Sequence, residues 1–106
     1  MEFKDIEKEV LATAKKYSRR CNFKIDEYFA LTKLNEEMGE FAQAVLIHRK
    51  QCRPEKFLSK EKSKKEVAKE LADVIGIAMV CADIFDIDLE EAINKKWISR
   101  EWINEK

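Results

Sequence analysis

Leu71-Ala72-Asp73-Val74-Ile75-Gly76-Ile77-Ala78-Met79-Val80-Cys81-Ala82-Asp83-Ile84-Phe85 decides the fold, because only Asp73 and Asp83 are charged and apolar side chains fall on every side of a helix. A helix apolar all round is usually buried. Glu70 precedes the stretch, and on a helical wheel Glu70 and Asp73 are bracketed by Val74, Ile77, Val80, Cys81 and Ile84. Both acids are therefore expected at or near a packed interface. A buried carboxylate either protonates or is paired with a cation, because desolvation disfavours its charged form. Lys69 stands four residues before Asp73 and offers an ion pair, which leaves Glu70 unexplained.

A second acidic group lies upstream at Glu36-Glu37-Met38-Gly39-Glu40. Each residue advances a helix by roughly 100°, so the three carboxylates share about 100° of arc. They face away from the stripe of Leu31, Leu34, Met38, Phe41 and Val45, which is the face expected to pack on a core. Charged residues ordinarily lie outside, and a solvated acidic face is the plain reading of such a group. Ala44 and Ile47 nevertheless carry the glutamate face on as an apolar one, so something is expected to pack there, and only Lys33 is placed to relieve Glu37.

The two sites repeat one spacing, Glu37-x-x-Glu40 and Glu70-x-x-Asp73. Antiparallel neighbouring helices with such pairs on facing sides present four carboxylates to one point, as helical bundles do when they build carboxylate metal sites. Glu36 adds a further donor. All-oxygen ligation favours a hard cation, and partial protein ligation that leaves positions for water and phosphate is characteristic of magnesium, for which manganese can substitute. A di-iron bundle requires Glu-x-x-His pairs. The sole histidine, His48, does not follow a glutamate by three and is read as a surface loop residue.

Outward from these motifs the chain reads as helix nearly throughout, with two Gly and one Pro in 106 residues. A first helix spans about Glu2 to Arg20 and a second, capped by Asp26, runs to about Lys50. A basic loop follows from His48 to Lys65. Ser63 with Glu66 forms a capping box for a third helix ending near Phe85, and Asp86 or Asp88 with Glu91 opens a fourth that continues to about Asn104. The expectation is a single all-α domain over residues 1–106, a four-helix protomer burying roughly two thirds of its unfolded surface, its bundle completed by dimerisation.

Lys and Arg total 21, as do Asp and Glu, so the formal net charge is zero. Long-range attraction to nucleic acid or membrane is not expected. Three cysteines without metal-ligand spacing fit a reducing cytosol, and the charged Met1–Asp5 segment lacks a signal peptide's apolar core.

Glu36-Glu37-x-x-Glu40 followed by Glu70-x-x-Asp73 resembles the signature of the MazG-like all-α nucleoside triphosphate pyrophosphohydrolases. The words Leu34–Phe41, Lys69–Ile75 and Asp86–Ile93 are similar to the same family, over about residues 26 to 104. The resemblance implies magnesium-dependent hydrolysis of a nucleoside triphosphate to the monophosphate and pyrophosphate by a homodimer or homotetramer. It also implies Glu37, Glu40, Glu70 and Asp73 as metal ligands, with Glu36 and Glu37 as the catalytic residues and Glu36 either a further ligand or the residue that orients the attacking water. Lys95 and Arg100 would approach the substrate, with Ser99 where the family often has asparagine. Relatives acting on deoxyuridine nucleotides or phosphoribosyl-ATP carry the same acids. The alternative from another class is a non-catalytic helical module whose acids bind a basic partner. Trp97 and Trp102 are expected to pack, and the loop cations Arg49, Lys50, Arg53 and Lys56 are placed where they could close over phosphates.

Overall fold

The computed structural model describes residues 1–104, and all regular structure among them is helical. Four α-helices are present: α1 (Phe3–Cys21), α2 (Glu27–His48), α3 (Lys60–Ile84) and α4 (Leu89–Ile93). A short 3₁₀ turn, Pro54–Lys56, interrupts the α2–α3 connection, and a π-helical turn, Asn94–Ile98, continues α4.

The helix starts follow side-chain chemistry. Asp26 caps α2 by accepting a hydrogen bond from the Phe29 amide at 2.9 Å. For α3 the cap is Ser59, which accepts from the Lys62 amide at 3.2 Å, so the helix begins one turn before the expected Ser63. Ser63 is instead buried inside α3, where its hydroxyl donates to the Lys60 carbonyl at 3.1 Å and lies 2.7 Å from His48 Nδ1. That geometry assigns the ring proton to Nδ1, donating to Ser63. His48 is thus the last residue of α2, tied across to α3, and not a loop residue. The α2–α3 loop is correspondingly shorter than the sequence pattern indicates. Asn22, Lys50 and Asp86 close α1, α2 and α3 in left-handed conformation, with φ of 55°, 57° and 54°, the terminator usually supplied by glycine.

The fourth helix does not run as α-helix to Asn104. It ends at Ile93, widens into the π turn, and Arg100 follows with φ 59°. Asp88 caps α4 through the Glu91 amide at 3.1 Å and also accepts from Lys4 Nζ at 2.7 Å. These bonds hold its carboxyl below the ordinary range, Lys4 contributing most, and they tie α4 to α1.

α2 packs on α3 along the hairpin, and α1 rests on α3. The packed seam of α2 is Ala30, Glu37 and Ala44, spaced by seven. This seam is rotated toward the glutamates from the expected Leu31–Met38 stripe. Leu34, Phe41 and Val45 are half-buried at its edge, while Leu31 and Met38 are 70% and 48% exposed. Likewise α3 buries Met79, Val80 and Ala82 but leaves Leu71 and Ile75 exposed. Trp97, expected to pack, is 76% exposed.

The core is therefore thin. The accessible surface is 8452 Å², where a compact monomer of this mass shows about 6200 Å² and its unfolded chain about 18,000 Å². Roughly half of the unfolded surface is buried, not two thirds. The radius of gyration, 16.6 Å, also exceeds the roughly 13 Å of a compact domain this long. Among the described residues no helix is long and apolar enough to cross a membrane.

Candidate metal centre

The α2–α3 seam sets the site. Glu37 takes the middle place of the Ala30–Glu37–Ala44 row, and Glu70 lies seven residues after the buried Ser63 in α3. Antiparallel packing brings these two rows face to face, and their i+3 neighbours, Glu40 and Asp73, follow. One carboxylate oxygen from each of Glu37, Glu40, Glu70 and Asp73 lies within 4.8 Å of the others. Glu37 is buried, Glu70 half-buried, and Glu40 and Asp73 exposed. The cluster therefore opens to solvent on one side.

Its negative charge is only partly offset, by Lys33 beside Glu37. Desolvation raises the Glu37 carboxyl above its ordinary range, and the charges of Glu40 and Asp73 raise it further. Burial likewise raises Glu70, with Glu40 and Asp73 adding to it. Among the described residues, Glu37 Oε2 and Glu70 Oε2 are buried with no hydrogen-bond partner. Buried polar atoms are nearly always satisfied, so two orphaned acceptors on members of one carboxylate cluster fit a bound cation. The donors are all hard oxygens, which suits magnesium, manganese or calcium and not a soft metal.

The ion pair expected between Lys69 and Asp73 does not form. Lys69 Nζ turns to Glu66 Oε1 at 3.3 Å. Lys33 behaves otherwise, its Nζ lying 2.6 Å from Glu36 Oε1 and 3.5 Å from Glu37 Oε1. The hydrogen bond to Glu36 chiefly raises the Lys33 pKa, so its ammonium stays charged. Glu36 is about half exposed and stands beside the four-carboxylate group instead of inside it.

A cleft of about 1050 Å³ opens between α1, α2 and α3, with Glu36, Glu37 and Asp73 in its wall. Its far part is aromatic: Phe23 stacks on Phe29 at 5.1 Å between centroids, and Tyr17 meets Phe23 edge-on at 5.7 Å. Its basic lining residues are Lys24 and Lys33. No periodicity marks this wall in the sequence, because Tyr17, Phe23 and Phe29 come from a helix end, a connection and a helix start. A cluster of four aromatics within thirteen residues, Tyr17, Phe23, Tyr28 and Phe29, was the available signal.

Lys95 and Arg100 are not brought to the carboxylates within the protomer. Neither lines the cleft. Lys95 Nζ pairs with Glu91 at 2.9 Å and lies over the Trp102 ring at 5.7 Å, and Arg100 is exposed. The loop cations are also engaged locally, Arg49 with Gln51, Lys50 over Phe57 and Arg53 with Glu55.

Against this geometry, the profile of the phosphoribosyl-ATP pyrophosphohydrolase family matches residues 4–96. The match takes in the cluster and Lys95 and stops before Arg100. Comparison with curated proteins and with solved structures gives no significant match.

Proposed function

The chain belongs to the phosphoribosyl-ATP pyrophosphohydrolase family, a branch of the MazG-like all-α pyrophosphohydrolases, and from that membership we propose that it hydrolyses the triphosphate of phosphoribosyl-ATP or a closely similar nucleotide with a divalent metal. Water is added across the anhydride linkage between the α- and β-phosphates, breaking one of its P–O bonds, and the products are the nucleoside monophosphate and pyrophosphate. One observation carries the reading: four carboxylates converge within 4.8 Å with two buried oxygens left unpartnered.

Glu37, Glu40, Glu70 and Asp73 would hold magnesium, or manganese in its place. The chemistry such a cation supplies when bound is Lewis-acid charge at the phosphoryl oxygens and a more nucleophilic water. Glu36 stands outside the four, half exposed in the cleft wall, which suits it to orient the attacking water and accept its proton. Glu37 joins both groups, since it is a member of the carboxylate cluster and its Oε1 lies 3.5 Å from Lys33 Nζ. The aromatic end of the cleft has the flat apolar surface a purine needs, and burial there would keep bulk water from the phosphate end.

The reading extends to assembly. A second copy would cover exposed apolar side chains such as Leu31, Met38, Leu71, Ile75 and Phe85, giving a homodimer or a homotetramer built from it. Pyrophosphate release should be measured with and without magnesium across phosphoribosyl-ATP, ATP and the deoxynucleoside triphosphates. Release that is metal-dependent and fastest with phosphoribosyl-ATP is expected. No release from any of them would overturn the proposal and leave a non-catalytic helical module.

A further inference from the structure

The four-carboxylate cluster is a hostile place for a polyanion, and a divalent ion offsets only part of its charge. Among the described residues, the ion pairs bring one basic side chain to it, Lys33. Lys33 is partly buried in the cleft wall, between Glu36 at 2.6 Å and Glu37 at 3.5 Å. The second distance is long for a charge-assisted hydrogen bond, so donors of the ammonium remain for another acceptor. Its four-carbon stem lets the head swing without moving α2. Lys24, the other basic cleft residue, follows Phe23 at the aromatic end.

We propose that Lys33 is the substrate's phosphate-binding cation, holding Glu36 in the empty cleft and turning its ammonium to the triphosphate when the nucleotide enters. The inference rests on the function proposed above. Within it, Lys33 has two opposed effects: its charge opposes a metal ion entering alone and favours the anionic nucleotide that follows.

The opposed signs supply the test. Titration calorimetry on the full chain would compare wild type, Lys33→Met and Lys33→Arg, first with magnesium alone and then with α,β-methylene ATP in saturating magnesium. Lys33→Met should bind magnesium several-fold tighter and the nucleotide analogue about tenfold weaker or more, the loss typical of one charge-assisted hydrogen bond. Lys33→Arg should recover part of the nucleotide affinity. Should Lys33→Met fail to fold by circular dichroism, Lys33→Gln, which keeps a donor without the charge, carries the same comparison. Unchanged nucleotide affinity in the variant, with the wild type binding normally, overturns the role of Lys33 and spares the proposed function. Weaker binding of both ligands marks Lys33 as structural and also overturns it. A wild type that binds neither α,β-methylene ATP nor phosphoribosyl-ATP, the latter titrated with calcium in place of magnesium to slow turnover, overturns the proposed function itself.

Discussion

Glu70 separates rate from stability. Its raised carboxyl means that the metal-free fold binds this proton more tightly than the unfolded chain does. The stability this group contributes is fully present below the ordinary carboxylate pKa and is lost as pH rises through the raised value. Glu70→Gln keeps the shape without the charge, so metal-free variant and wild type should melt alike in acid and diverge toward neutral pH, with the variant higher. Thermal melts against pH check the sign. Added magnesium should reverse the order, because the wild type gains a bound ion that the variant holds weakly. Hydrolysis should fall by about 100-fold or more, as loss of a charged ligand removes hold on the metal and its Lewis-acid charge. A variant that unfolds yet keeps full specific activity in its folded fraction would remove Glu70 from the site. Asp88 shows the opposite sign, since its carboxyl is lowered by Lys4 and its stabilisation is lost as pH falls.

At the scale of helices, the sequence made the acid pairs and the four elements legible because spacing within one helix is a local property. It missed which serine caps α3. Ser59 and Ser63 both precede helical sequence, and Glu66 three residues after Ser63 imitates a capping box. What separates them is His48, brought to Ser63 by the antiparallel return of the chain, a contact that no local pattern records. The same limitation hid the α2 seam: Ala30, Glu37 and Ala44 are less apolar than Leu31 and Met38, yet they are the buried row of α2, because the small side chains of Ala30 and Ala44 let the two helices approach with Glu37 between them. The carboxylate pairs could be read and the cleft could not, since the cleft is assembled from three helices. Substitution checks the assignment of the two serines. Ser59→Ala should cost about 1 kcal/mol, the usual value of an N-cap. Ser63→Ala should cost about 1–3 kcal/mol, because it leaves the His48 ring and the Lys60 carbonyl without their buried partner. Urea midpoints of the two variants give the comparison.

Taken whole, the protomer has more surface and a larger radius than a finished domain of its length. Within the α2–α3 hairpin, Leu31, Met38, Leu46, Leu71 and Ile75 are exposed, apolar surface that a second hairpin would cover to complete a bundle. Light scattering at micromolar concentration should give at least twice the chain mass of 12.5 kDa, and a clean monomer would count against the assembly. α1 adds a different consequence. It forms one wall of the cleft, has no fully buried residue of its own and leans on α3. Segments held by few buried contacts open at free energies well below global unfolding, so α1 amides should exchange with deuterium much faster than those of Val74–Ala82 in the unliganded protein. A nucleotide lying against Thr13 and Tyr17 would fasten that wall from inside, and α1 is where the slowing of exchange on binding should be greatest.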